Sequence, residues 1–225
     1  MFKSKYSNFL TIILVVAIIF AIVMISILGV SAYKRYKNEK DAEDAISRFE
    51  NNIDVNTNTN TSGGTGLIEQ NIVINNNTTG GNTSQEGTRQ VTYFNNFVMI
   101  GYIEIPKINI KYPILEKETV ASLEKSVAVR YPEKATMNEP GNVVIVGHNY
   151  RNGQFFSNLK KVATGDIIKI TDIKGQTLIY TIYEKYETTP EDVAYITRNV
   201  GDNTEITLVT CTDDSNARII VKAKV

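Results

Sequence analysis

Between Lys5 and Lys34 the chain carries no charged residue, and inside that window "FLTIILVVAIIFAIVMISILGV", residues 9–30, is almost unbrokenly apolar. In a helix rising about 1.5 Å per residue this stretch is roughly 33 Å long, enough to cross a hydrocarbon core of about 30 Å. It is too long for the core of a cleaved signal peptide, so the sequence predicts a retained transmembrane anchor at 9–30 behind a short cytoplasmic N-terminus, 1–8. The flanking charges argue about orientation. Lys3 and Lys5 precede the span, whereas Lys34, Arg35, Lys37 and Lys40 follow it. Basic flanks alone would therefore leave the body of the chain in the cytoplasm, although large domains translocate despite such charge.

Beyond the anchor, helix formers with Ala42, Ala45, Ile46 and Phe49 at helical spacing predict a juxtamembrane helix within 31–50. Composition then shifts. From Asn51 to Gln90 about two thirds of the residues are Asn, Thr, Gly or Ser. Such a segment buries too little apolar surface to offset its ordering entropy, and residues 51–92 read as a flexible tether. The apolar interruption "GLIEQNIVI", 66–74, is read as part of it.

From Tyr93 onward short runs rich in Ile, Val and Tyr alternate with turn residues. Eight strands are expected, at 100–105, 108–115, 127–130, 142–147, 166–171, 177–187, 205–210 and 217–224. "DIKGQT" reads as a hairpin turn around Gly175. Thr189 as N-cap, Pro190 at the first helical position and two acids after it predict a short helix in "TPEDVAYI", with others in "SLEKSV" and "FFSNLKKV". Eight strands with no protected edges fit a closed barrel better than two open sheets. The domain, 93–225, is thus expected to be all-β, a closed eight-stranded barrel with short helices.

The chemistry-bearing residues are few. The formal net charge is zero, with 24 basic and 24 acidic residues, which leaves no electrostatic footprint for nucleic acid or another polyanion. The chain has one cysteine, Cys211, so no intramolecular disulfide forms, and one histidine, His148. One His and one Cys make no zinc cluster, and the acids of "TPED" and "TDDS" read as solvated loop residues, so neither a metal nor another cofactor is expected. Each of the two reactive residues ends an apolar run, "NVVIVGH" and "ITLVTC". Strand ends on a rigid barrel are suited to presenting groups that must meet with fixed geometry. The six residues "TDDSNA" after Cys211 form a hairpin-like connection that returns Arg218 beside the thiol. There a guanidinium would stabilise a thiolate or hold an oxyanion, the alternative being an outward arginine on an edge strand.

Taken together, "TLVTC" followed by Arg218, "NEPGNVVIVGHN" upstream, and "GYIEIPKINIKYPILE" at the start of the domain resemble the sortases, cysteine transpeptidases of Gram-positive cell surfaces. The resemblance runs from about Ile100 to Val225. It implies an eight-stranded barrel held by an N-terminal anchor and facing the cell wall, which reverses the orientation suggested by the lysines. It also implies Cys211 as nucleophile, His148 as general acid and base, Arg218 as the group orienting substrate and stabilising the oxyanion, and Thr210 as a substrate-lining neighbour. The implied reaction cleaves a sorting signal of the LPXTG kind after its threonine and passes the acyl group to an amine. The implied partners are surface proteins bearing that signal and an amine of a peptidoglycan precursor or of a pilin lysine.

"GHNYRNGQFFSNLKKV" and the short interval from Cys211 to Arg218 resemble the class B pattern, but only about 20 residues separate Tyr186 from Glu205, too few for the long helix that class B carries there. With no Trp, the aromatic lid motif of class C is missing in its usual form. Two other functions compete: a cysteine hydrolase using the same Cys211 and His148 but discharging to water, and a noncatalytic surface adhesin.

Overall fold

The computed structural model describes residues 5–58 and 91–225; most of the expected tether, including the interruption at 66–74, lies outside the described residues. Helix α1 spans Lys5–Asn58 without a break. The segments expected at 9–30 and 31–50 are therefore one helix that continues into the Asn-rich sequence. Its apolar part reaches a mean hydropathy of 3.3 with none of it buried, long and apolar enough to cross a membrane.

The chain divides into two compact units, Met1–Glu43 and Asp44–Val225. The second holds the last part of α1 together with the β-domain, where the sequence pattern had placed the domain start at Tyr93. Ala45, Ile46 and Phe49 are buried, and Ile46 and Phe49 form a cluster with Met99 against which Ile53, Tyr102 and Ile173 pack. The Phe49 ring meets Tyr102 edge-on at 6.2 Å, Lys111 pairs with Glu50 at 3.3 Å, and Asn52 Nδ2 donates to Thr92 at 3.2 Å. At the tip of the expected hairpin Gly175 has φ +80°, and a Cβ there would lie 2.5 Å from Ile53 Cγ2. Glycine thus serves the turn and the approach of the helix at once.

Burying Ile46 and Phe49 is worth about 1.5–3 kcal/mol each, hence roughly 3–6 kcal/mol together as an upper estimate. We expect a chain beginning at Tyr93 to melt well below one beginning at Asp44. Thermal unfolding of the two truncated forms checks this, and equal Tm values would mean that the helix contributes nothing to the barrel.

The strands are β1 (Tyr93–Phe94), β2 (Phe97–Ile105), β3 (Ile110–Leu115), β4 (Val127–Tyr131), β5 (Gly141–Val146), β6 (Ile167–Asp172), β7 (Thr177–Thr188), β8 (Thr204–Cys211) and β9 (Arg218–Lys224). β1 only extends the edge of β2. The other eight run in the order β2-β3-β4-β5-β8-β9-β7-β6, and β6 pairs back onto β2, closing the barrel. All neighbours are antiparallel except β3 with β4 and β5 with β8. Alternation explains the lining: in β2, Met99, Ile103 and Ile105 are buried while their neighbours are partly exposed. α2 (Val120–Leu123) is a single capped turn, with Thr119 and Ser122 satisfying each other's backbone N–H groups. Leu159–Lys161 forms a 3₁₀ turn within the segment "FFSNLKKV".

β8 departs from simple alternation, since Glu205 to Thr210 are all buried. Its second face is covered by the β7–β8 connection, whose Tyr195 packs with Val144, Val209 and Ile220. Asn142 Nδ2 donates to the Tyr195 and Ile196 carbonyls at 3.2 Å each, and Arg198 pairs with Glu205 at 2.9 Å. Tyr183 donates to the same carboxylate at 2.7 Å; burial first, then that acid, pushes its phenol up to about 12. The helix expected in "TPEDVAYI" does not form. Asp192 accepts from Thr188 Oγ1 at 2.6 Å and from the Ala194 N–H at 2.9 Å, so its side chain closes a turn that competes with helical hydrogen bonding.

Candidate active site

Three neighbouring strands bring the sequence-predicted residues together. β5 and β8 are parallel with Val146 opposite Val209, and the ladder runs one residue further because Gly147 N–H donates to the Val209 carbonyl at 3.1 Å. His148 and Cys211 each lie two residues beyond that matched pair. On the other side of β8, Cys211 stands directly opposite Arg218 of β9. The order across the sheet is therefore His148, Cys211, Arg218, on strands spaced about 4.8 Å apart. By the period of two, these residues share a face with Val146, Val209 and Ile220. That places them at the rim of the apolar cluster formed with Tyr195. Cys211 carries a free thiol and is half-buried, as are His148 and Arg218.

Gly147 shows why the sequence needs glycine before the histidine. A Cβ at this position would fall 2.7 Å from Phe156 Cδ2 and 2.9 Å from Val127 Cγ1. Any side chain there would push the histidine-bearing backbone away from β8. After His148 the chain folds over a small aromatic platform: the His148 and Tyr150 rings lie 4.9 Å apart, Tyr150 and Phe155 5.7 Å, and Phe155 and Tyr112 5.1 Å. Burial, and then the charge of Glu124, raise the Tyr150 phenol above its ordinary range, so it stays neutral beside the imidazole.

Arg218 Nη1 donates to the Ala217 carbonyl at 3.1 Å and to the Ser215 carbonyl at 3.5 Å. These bonds hold the guanidinium at the hairpin that follows Cys211. Thr210 is buried, and its hydroxyl donates to the Gly147 carbonyl at 2.8 Å, tying β8 to the strand that leads to His148. Strand alternation turns its side chain to the opposite face from Cys211. No group of three or more His, Cys, Asp or Glu side chains suited to a metal ion occurs among the described residues.

The sequence pattern assigns no role to several residues beside the site. Asn149 Nδ2 donates to the Cys211 carbonyl and to Asp213 Oδ1, both at 2.9 Å, and Lys160 closes an ion pair with the other Asp213 oxygen. Arg151 Nη2 reaches Ser215 Oγ at 3.1 Å. Lys160 first, then Asn149, hold the Asp213 carboxyl below its usual range, so it is ionised at neutral pH. Asp213 and Asp214 are exposed, as expected of solvated loop acids, and both also bond locally, Asp214 in turning its own loop and Asp213 in joining it to the histidine segment.

A family model described as a sortase domain matches residues 103–225. The chain belongs to the sortase family. Over 121 residues it is 30% identical to sortase A of Staphylococcus aureus (strain NCTC 8325 / PS 47), and over 139 residues 32% identical to sortase A of Streptococcus agalactiae serotype III (strain NEM316). These matches take in 52% and 59% of this chain and 57% and 55% of the relatives, so this sortase spans little more than half the length of the curated proteins it matches. Among solved structures, a Clostridium perfringens sortase D5 transpeptidase superposes with a TM-score of 0.51 at 37% identity, covering 56% of this chain and 78% of that one. The barrel and the apolar N-terminal helix expected from the sequence are those observed. The β7–β8 connection holds turns where class B would place a long helix.

Proposed function

We propose that this chain is a membrane-anchored cysteine transpeptidase that cleaves an LPXTG-like sorting signal after its threonine and transfers the acyl portion to an amine. The observation that supports this reading is the register that sets His148, two residues beyond the end of β5, level with Cys211 at the end of β8 and with Arg218 opposite it on β9.

In this mechanism the Cys211 thiolate attacks the threonine carbonyl carbon and the oxygen takes up the negative charge. Arg218 stabilises that oxyanion through the donors that the loop carbonyls leave available. The His148 imidazolium gives its proton to the departing amine, the C–N bond breaks, and a thioester remains on Cys211. The neutral imidazole then takes a proton from the incoming amine as its nitrogen attacks the thioester. An amide forms, the thiolate is released, and the starting protonation states return. The acceptor is an amine of a peptidoglycan precursor or a pilin lysine, and α1 holds the domain on the outer surface of the membrane, where both substrates are found.

The test follows the covalent intermediate. The purified full chain in detergent is incubated with LPXTG-like peptides and its intact mass recorded, then treated with oligoglycine, diaminopimelate or hydroxylamine. We expect an adduct on Cys211 equal to the peptide portion ending at threonine, discharged faster to amine than to water, because an amine held at His148 is deprotonated in place. An adduct that only hydrolyses would make the protein a hydrolase. No adduct with any peptide, while the thiol still alkylates, would favour an adhesin.

A further inference from the structure

The ladder that carries β5 alongside β8 ends at Gly147, one residue before His148. Past that point backbone pairing no longer holds the histidine against the cysteine strand, and side chains take over. Behind the imidazole, Thr210 holds the Gly147 carbonyl; ahead of it, the Asn149 amide spans the gap. Asn149 uses both Nδ2 protons, one on the Cys211 carbonyl and one on Asp213, while its Oδ1 accepts from the Arg151 N–H at 3.0 Å. Asp213 is in turn oriented by Lys160, which stands on the 3₁₀ turn that Lys185 of β7 holds through the Lys160 and Val162 carbonyls at 2.9 and 2.7 Å.

We propose that Asn149 and Asp213 form a latch that sets the distance between the imidazole and the sulfur, acting as positioning residues for the reaction. The proposal rests on the reading of His148 and Cys211 as the reacting pair. Its physical basis is economy of contact: one amide is bonded to the cysteine's own carbonyl and to the loop two residues later. A shift of the histidine segment must break both bonds together. General stabilisation is a poor explanation for the same contacts. The Asp213–Lys160 pair is about half exposed, with side-chain accessibilities of 51% and 43%, and such pairs add little to folding.

The latch is tested by steady-state transpeptidation with the full chain in detergent, comparing Asn149→Ala, Asp213→Ala and the double variant with wild type. A misplacement of about 1 Å at reacting groups costs up to roughly 100-fold in rate, so each single variant is expected to lose about 10- to 100-fold in kcat with KM nearly unchanged. Because the two residues act as one unit, the double variant should be no slower than the slower single, not the product of both losses. The chain's one histidine supplies a direct readout: its carbon-bound imidazole proton resonances should broaden or split in the variants while Tm barely moves. If an alanine variant fails to fold, Asp213→Asn keeps an acceptor for Asn149 but removes the Lys160 ion pair, and it should show a smaller kcat loss of the same kind. Wild-type kcat in these variants, a loss confined to KM, or multiplicative losses with an undisturbed imidazole signal would overturn the latch. A wild-type chain that forms no Cys211 adduct would overturn the parent reading instead.

Discussion

Replacing Cys211 by alanine is expected to abolish both cleavage and transfer, a fall on the order of 10⁶-fold in kcat if the loss matches that seen when a serine protease loses its nucleophile. The chain contains no other cysteine, so no second thiol can carry the thioester. The fold should tolerate the change. Cys211 is the last residue of β8, half-buried, in register opposite Arg218 of β9, and its carbonyl accepts from Asn149; alanine keeps this register and this bond. Stability should change by about 1 kcal/mol or less. Turnover and intact mass are measured on the same sample, with Tm as the control for folding. Residual turnover well above background, with no adduct in the mass spectrum, would show that the sulfur does not form the covalent bond.

The parts of this molecule that were legible in the sequence are those set by short-range periodicity. Alternation of Ile, Val and Tyr with polar residues located the eight barrel strands to within a few residues, because a strand with one face in a core must show that pattern. The positions of Cys211 and His148 at the ends of apolar runs were visible for the same reason. Their adjacency was not, since the parallel pairing of β5 with β8 is a property of the closed sheet. What escaped was either long-range or a contest between local preferences. Ile46 and Phe49 showed helical spacing, but nothing local says that Met99 and Ile173 wait to receive them. Asp192 favoured a helix start by composition, yet its carboxylate took Thr188 and Ala194 as partners and made a turn. Asn149 and Asp213 are polar loop residues in any local reading, and only the fold brings them within 2.9 Å.

The second large effect concerns His148, and its size separates two roles that the geometry alone would allow. In the proposed role of general acid to the leaving amine and base to the incoming one, an imidazole is worth about 10²–10⁴-fold, so His148→Ala should lower turnover of an amide substrate by that amount. No other imidazole exists in the chain to take over. Tyr150 is no substitute either, because its phenol, stacked 4.9 Å from the ring, is held above its ordinary range by burial and donates its proton less readily. The acid role makes a further demand. A departing amine must be protonated, whereas an activated ester or thioester leaves without a proton. His148→Ala should therefore acylate on Cys211 with such a substrate at a rate much nearer wild type than with the amide. Burst-phase acylation of the variant, measured with an amide and with an ester of the same acyl group, gives the comparison. Equal losses on both substrates would assign the imidazole to forming the thiolate rather than to protonating the leaving group. A wild-type rate on the amide would remove His148 from the chemistry altogether.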